Sequence, residues 1–184
     1  MTNKTPFALH VRDIARKPGQ SREFSFEAHF EDRVGEGLAW VEADTPVAVE
    51  GLLESVHEGI LASGSATAAA AGECSRCLDP LTLYLRVDFG ELFAYDRSED
   101  FELFTIDDTV DLEEVVRDAV VLALPFQPVC RPDCAGLNPE TGEKLAPGTT
   151  WTPPERIDPR WAALQEFKID EPDPASDAGD RQKE

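Results

Sequence analysis

Residues 81–89 read LTLYLRVDF, and this stretch decides the fold class because apolar and polar side chains alternate along it. One face of an extended chain here carries the apolar members, which are Leu81, Leu83, Leu85, Val87 and Phe89. An alternation with period two predicts a β-strand that buries one face and leaves the other in water. Strands of antiparallel sheets commonly have this character, so the stretch favours an antiparallel sheet.

Two further segments near the N-terminus show the same period. Their apolar members are Phe7, Leu9 and Val11 in the first and Phe24, Phe26, Ala28 and Phe30 in the second. Residues 47–67 favour one long strand or two consecutive strands, with bulges or close backbone approaches at Gly51, Gly59 and Gly64. We therefore predict an α+β fold in which a curved antiparallel β-sheet or partial barrel is combined with few helices.

One main α-helix is predicted over residues 111–124. Its apolar stripe recurs at helical spacing and consists of Leu112, Val115, Val116, Ala119, Val120 and Ala123. Asp111 is the predicted N-cap, with Glu114 at the spacing of a capping box. Pro125 is expected to end the helix.

The C-terminal part predicts a short second helix and then a tail. The helix is expected after Pro159, with Trp161, Leu164 and Phe167 spaced to dock on the body of the protein. Residues 168–184 carry six acids, three bases and two prolines, a composition typical of disordered acidic tails. The sequence thus predicts a single domain over residues 1–167, followed by a disordered tail over residues 168–184.

The net charge of the chain constrains its partners. The 184 residues include 17 Lys+Arg and 37 Asp+Glu, a formal charge of −20. Half of this charge lies in residues 88–118, which hold twelve acids and two bases. Because affinity for nucleic acid that is independent of sequence comes from Lys and Arg, non-specific RNA binding is disfavoured. The acidic segment is either a solvated face or a surface for a basic partner.

Residues 1–22 have the opposite bias, with five bases and one acid. If the protein contacts RNA, we expect the contact at Arg12, Arg16, Lys17 and Arg22, with Arg76 and Arg131 as further candidates. The longest weakly polar stretch, residues 60–71, is far shorter than the roughly 20 residues of a membrane-spanning helix. The N-terminus has no apolar signal core, so the cytoplasm is the expected compartment and no membrane partner is expected.

Four cysteines occur as two pairs, Cys74/Cys77 and Cys130/Cys134, separated by 52 residues. Such short spacings suit a tetrahedral zinc site made of four thiolates, which would tie the sheet to the exit of the helix. Two alternatives stay open: a thiol–disulfide enzyme that uses Cys74 and Cys77, and unpaired buried cysteines. Redox Cys-x-x-Cys motifs open a helix, whereas Cys77 is followed by a predicted turn before a strand.

Four blocks of sequence, taken in order, resemble the YceD family. They are CSRCLDPL (residues 74–81), the helix led by Asp111 and ending in LPFQPVC, CRPDCAGLNPETGEKL (residues 130–145) and IDPRWAAL (residues 157–164). This family comprises large ribosomal RNA subunit accumulation proteins of bacteria and plastids. The resemblance spans roughly residues 7–167 and points to an actinobacterial-type member.

One departure from the family pattern concerns the possible metal site. Many relatives carry two further cysteines after the second pair, where this chain has Asn138 and Thr141. Neither an amide nor a hydroxyl is a good ligand for zinc. Either Cys74 and Cys77 complete the site, or the metal has been lost and the scaffold kept.

The resemblance implies a ribosome biogenesis factor that supports accumulation or processing of 23S rRNA and large-subunit assembly. We expect a non-catalytic protein, because the sequence holds no Gly-rich phosphate loop, His-Glu-x-x-His motif or nucleophile elbow. Its three histidines, His10, His29 and His57, fall in strand-like segments. Basic ribosomal proteins or assembly factors of the large subunit are the expected partners, with a small thiol-redox protein as the alternative function.

Overall fold

The structure is a computed structural model, and it describes residues 5–99, 101–152 and 160. A compact unit covers residues 1–149, and residues 150–184 form a second unit. The short helix predicted after Pro159 and the domain boundary predicted between residues 167 and 168 lie outside the described residues, as does the predicted tail. The fold described below is that of the first unit.

The described part of the chain contains seven strands and one helix. In order they are β1 (Ala8–His10), β2 (Ser21–Ala28), β3 (Ala39–Trp40), β4 (Val47–Ser55), β5 (Gly59–Glu73), β6 (Pro80–Ala94), β7 (Thr109–Asp111) and α1 (Glu113–Ala123). Strands β2 to β6 form one five-stranded sheet, and β1 pairs with β7. All these pairings are antiparallel, as the alternation predicted.

Strand β5 is the centre of the large sheet. One of its edges pairs with β4 over residues 60–68 and then with the short β3 at residues 71 and 72. Its other edge pairs with β6 along the whole length, from Gly59 opposite Ala94 to Glu73 opposite Pro80. β5 and β6 therefore form one long hairpin. Among the described strands β2 and β6 are not paired with each other, so the sheet stays open and no barrel closes.

The predicted strand at residues 81–89 is confirmed as part of β6. Its polar side chains are exposed, whereas Val87 is buried and the other apolar members are half-buried.

Residues 47–67 form two strands, and the second continues beyond the prediction to Glu73. Gly51 lies opposite Gly64 in the middle of the sheet, where a Cβ on Gly51 would come within 2.7 Å of Gly64 Cα. A side chain does not fit at this close approach.

The helix packs on the sheet through Val115, Val116 and Val120, which belong to the main apolar core. It begins at Glu113, two residues later than predicted, because Asp111 is the last residue of β7. The Asp111 carboxylate nevertheless accepts a hydrogen bond from the Glu113 N–H (3.0 Å). Leu124 is extended, as expected for a residue before proline, and the helix ends at Ala123.

The histidines do not all lie in strands as predicted. His10 is the last residue of β1, His29 follows the end of β2, and His57 lies in the turn that joins β4 to β5. The predicted strand that contains Phe24 ends at Ala28, so Phe30 lies outside it. Phe30 is nevertheless buried in the core.

Candidate metal centre

The first cysteine pair lies in the turn at the tip of the β5–β6 hairpin. Cys74 directly follows Glu73, and its N–H donates to the carbonyl of Asp79 (2.8 Å), which closes the turn. The Leu78 N–H donates back to the Cys74 carbonyl (2.9 Å), and Leu78 adopts a left-handed conformation with φ 58°. The predicted turn between Cys77 and the following strand is thus confirmed, and no helix starts at this motif.

The second pair lies in the segment that follows α1. This segment returns to the hairpin tip, where the Ser75 N–H donates to the Pro128 carbonyl (2.8 Å). Cys130 and Cys134 flank a turn closed by the hydrogen bond from the Cys134 N–H to the Arg131 carbonyl (3.1 Å). The helix and its exit therefore bring together cysteines that are far apart in the sequence.

The four sulfur atoms form one cluster, in which all lie within 4.8 Å of one another. The Cys74 and Cys134 sulfurs are 3.9 Å apart, and those of Cys77 and Cys130 are 3.8 Å apart. A tetrahedral metal ion with bonds of about 2.3 Å to sulfur would space its ligands about 3.8 Å apart. The donor set and its dimensions therefore fit zinc.

The protonation of the cluster is uneven. Burial raises the pKa of Cys74, but backbone hydrogen bonds, first that from Cys130, outweigh it and bring the pKa to about 6. For Cys77 the backbone hydrogen bond at Asp79 lowers the pKa, yet burial and the neighbouring thiols raise it to about 12. Burial also raises the pKa of Cys130. Cys74 thus favours the thiolate form that binds metal, and a cation would be needed to stabilise Cys77 and Cys130 as thiolates.

Two basic side chains, Arg76 and Arg131, belong to the two cysteine turns. Arg76 connects these turns, since its guanidinium donates to the carbonyls of Pro132 (3.2 Å) and Cys134 (2.9 Å). Arg131 forms an ion pair with Asp133 (3.4 Å) within its own turn. Arg76 therefore holds the second pair against the first through backbone atoms.

Asp79 and Lys144 also lie beside the cysteines, and no pattern in the sequence pointed to either residue. The Cys77 thiol donates to the Asp79 carboxylate (3.5 Å), which also forms an ion pair with Lys144. The hydrogen bond with Asp79 and the negative charge of its carboxylate raise the pKa of Lys144. Lys144 is a cation near the sulfurs. It lies in a loop, where no periodic sequence pattern predicts which residues it contacts.

Asn138 and Thr141 occupy a small hairpin and make contacts within it. The Asn138 side-chain oxygen accepts hydrogen bonds from the backbone N–H groups of Glu140 (2.9 Å) and Thr141 (3.4 Å). The Thr141 hydroxyl accepts one from the Glu143 N–H (3.3 Å). Asn138 thereby organises the loop by hydrogen bonds.

The four N-terminal bases proposed for RNA contact have partners within the protein. Three form ion pairs, Arg12 with Asp108 (3.0 Å), Arg16 with Asp96 (3.8 Å) and Arg22 with Asp13 (2.8 Å). The Lys17 ammonium donates to the Asp13 carbonyl (2.7 Å). Two of the acidic partners belong to residues 88–118, so the basic and acidic segments that the sequence separates lie side by side.

These features define a class: an open antiparallel sheet with one packed helix and a cluster of four cysteines that joins the hairpin tip to the helix exit. The particular family follows from comparison with known proteins. The model of the family "Large ribosomal RNA subunit accumulation protein YceD" matches residues 62–168. The chain belongs to this family, which confirms the resemblance drawn from the four sequence blocks.

Curated relatives extend the similarity over most of the chain. The uncharacterized protein Rv2926c of Mycobacterium tuberculosis is 40% identical over 172 residues, covering 89% of this chain and 82% of its own length. The uncharacterized protein ML1660 of Mycobacterium leprae is 36% identical, covering 89% of this chain and 78% of its own. The uncharacterized protein YlbN of Bacillus subtilis is 27% identical over 99 residues, covering 51% and 58%. No solved structure matches the chain.

Within the described residues, no helix is both long enough and apolar enough to cross a bilayer.

Proposed function

We propose that this protein is a non-catalytic factor of ribosome biogenesis that supports 23S rRNA accumulation and assembly of the large subunit in the cytoplasm. The observation that carries the proposal is the family match over residues 62–168, since the family is named for accumulation of the large ribosomal RNA. The proposed scaffold is one domain over residues 1–167 with an acidic tail over residues 168–184.

The proposed cofactor is one structural zinc ion held by Cys74, Cys77, Cys130 and Cys134. The spacing of the sulfurs and the burial of Cys74 and Cys134 support a closed structural site. When bound, zinc supplies four strong bonds between the hairpin tip and the segment after α1. Arg76 orients the two turns, and Asp79 with Lys144 supplies hydrogen bonding and positive charge around them.

Attachment to the assembling ribosome is proposed to run mainly through proteins. Arg12, Arg16 and Arg22 are already paired with carboxylates, although these exposed pairs are weak enough for a phosphate to displace. The excess of acid over base in residues 88–118 suits basic ribosomal proteins or assembly factors. Direct rRNA contact at the N-terminal bases is the smaller part of this proposal.

Depletion of the protein in its own cells tests the proposed function. We expect the ratio of 23S to 16S rRNA to fall and precursors of the large subunit to accumulate in sucrose gradients. Cells complemented with the unchanged gene provide the control and restore both measurements. A 23S level and a subunit profile that stay normal after complete depletion would show that the proposal is wrong.

A second candidate function is a small thiol-redox protein that uses Cys74 and Cys77. The pKa of about 6 for Cys74 favours it, because a thiolate at neutral pH is the reactive form. Thiol titration of the purified protein discriminates the two. A redox site reacts at once with an alkylating reagent, whereas zinc-bound thiolates stay protected until a chelator is added.

A further inference from the structure

A groove lined by apolar and acidic side chains runs along the edge of β6 beside α1. It has a volume of about 600 Å³ and is lined by residues 88–92 of β6, residues 101–103 and one face of the helix. Side chains of a strand point alternately to its two faces. Five consecutive lining residues therefore indicate that the groove follows the edge of the strand.

This edge of β6 is largely unpaired. β5 occupies the opposite edge from end to end. On the groove side, within the described part of the chain, the only paired residue is Ala94, which forms a parallel bridge with Phe104. An open edge offers backbone N–H and C=O groups to an incoming extended segment.

The groove combines an apolar floor with an acidic rim. The floor includes Phe89, Leu92, Leu103 and Ala119, which are half-buried, and Leu122, whose exposed fraction is 86%. The rim consists of Asp88, Glu91, Glu102, Glu114 and Asp118, all exposed. None of the lining residues is Lys or Arg, and none of the five acids forms an ion pair within the described part of the chain.

The acidic character continues past the groove. A neighbouring cavity shares Glu102, Leu103 and Glu114 with it and reaches Asp111 and Glu113 at the start of the helix. The one base that lines this cavity, Arg117, is already hydrogen-bonded to Glu113 (2.9 Å). The apolar floor is thus bordered by carboxylates along the helix and along the strand edge.

We propose that this groove binds an extended segment of a protein partner that is rich in lysine or arginine and also carries apolar side chains. The inference rests on the proposed function and names the partner surface for it. Basic side chains of the segment pair with the rim, its apolar side chains cover Leu122 and Phe89, and its backbone extends the sheet at β6.

Two other occupants fit less well. RNA phosphates would meet five carboxylates, so the groove repels nucleic acid. A second copy of the chain would bring a further charge of −20, which opposes association through an acidic surface. The charge of the groove therefore favours a basic protein segment.

Binding of short synthetic peptides to the full chain tests this inference. The probe alternates lysine and valine, one control peptide alternates lysine and serine, and another alternates glutamate and valine. We expect fluorescence anisotropy to show binding of the lysine–valine peptide, with both controls about tenfold weaker or more, because charge and apolar contact are both required.

Charge reversal locates the binding site. The double variant Glu91→Arg with Asp118→Arg should weaken binding by about tenfold, and Leu122→Ser, which changes an exposed side chain, should weaken it by about threefold or more. The matched control, Glu27→Arg with Glu54→Arg, changes net charge equally at exposed positions outside the groove and should retain binding. Equal loss in both double variants, or no loss in any variant, would overturn the inference, as would binding of an rRNA fragment that competes with the peptide.

This test can be separated from the test of the proposed function. Peptide binding in the purified protein needs no rRNA phenotype. A normal 23S level after depletion would contradict the proposed function even if the groove binds the peptide. Absence of peptide binding would contradict the groove even if depletion lowers the 23S level.

Discussion

The two ends of the β5–β6 hairpin are stabilised in different ways. At one end Ile60 and Phe93 pair across the strands and lie in an extensive apolar core with Leu53 and Phe7. At the other end the buried cluster consists of Cys74, Cys77 and Cys134, with Leu81 packed against it. Each strand has fifteen residues, so the ends are about 50 Å apart along the strand.

One continuous sheet can therefore depend on two separate sources of stability. Burial of apolar side chains acts at the Gly59 end under any conditions in which the chain folds. At the cysteine end little apolar area is buried, so order there depends on hydrogen bonds and on the proposed metal. Changes at one end should therefore leave the other nearly intact.

Removal of the proposed zinc ion should have the largest effect on stability. Chelation, or Cys74→Ser, should remove about one zinc ion per chain. Because the two turns would then no longer bind a common metal ion, hydrogen-exchange protection should be lost in residues 74–79 and 130–134. Structural zinc contributes up to about 10–16 kcal/mol in small zinc fingers, which sets an upper bound here. Amides of β4 and of the Gly59 end should stay protected. Ser75→Ala, between the same two cysteines, is the control and should keep the metal.

A truncation in the apolar core should act globally. Phe93→Ala removes a side chain that is 2% exposed, and we expect a loss of about 3–5 kcal/mol in the free energy of unfolding measured with urea. Zinc content should stay unchanged, since no cysteine contacts are altered. Tyr84→Ala, in the same strand at a position 87% exposed, should cost far less. Release of zinc by Phe93→Ala in the folded protein would contradict the independence of the two ends.

Gly51 lies opposite Gly64 between the two ends, and its substitution tests the close packing in the middle of the sheet. In Gly51→Ala the new Cβ would meet the Ser63 carbonyl oxygen and come within 2.9 Å of Phe24. We expect a cost of about 1–3 kcal/mol from overpacking, measured by thermal unfolding. Gly90→Ala is the matched control, because nothing lies within 4 Å of its added Cβ. Equal effects of the two substitutions would mean that the close approach of Gly51 and Gly64 is unimportant.

The smallest effect is expected at Asn138. Asn138→Ala removes the acceptor for two backbone N–H groups, which should cost about 1 kcal/mol and increase hydrogen exchange in residues 138–143. Asn138→Asp keeps an acceptor oxygen at the same place and should retain most of the protection. Zinc content should be unchanged in both variants. Release of zinc by Asn138→Ala would show that this hairpin supports the cysteine cluster and that the two regions are not independent.

The sequence predicted those parts of the fold whose environment is recorded in neighbouring residues. Alternation at residues 81–89 identified a strand with one buried face, and helical spacing identified α1. The far half of β5 was missed because Ala68, Ala69, Ala70 and Ala71 have little intrinsic strand preference. Pairing with β6, a tertiary interaction, makes this segment a strand.

The clustering of the four cysteines was predicted from the sequence, whereas the residues around them were not. Spacing identified all four cysteines, but their meeting depends on the return of the chain after α1, which no local pattern encodes. Lys144 and Asp79 come from different segments and meet only in the folded protein. The same holds for the ion pairs of Arg12 and Arg16, which bring together charge segments that are remote in sequence.

The placement of Cys74 and Cys77 in the hairpin turn has a consequence for the order of folding. Glu73 and Pro80 pair across a short loop, whereas Cys130 and Cys134 lie beyond α1 in the chain. Because short loops close at the lowest entropic cost, the hairpin can pair from this turn before its metal ligands are complete. The proposed zinc ion would then bind to a hairpin that has already formed, and its loss should speed unfolding more than it slows folding.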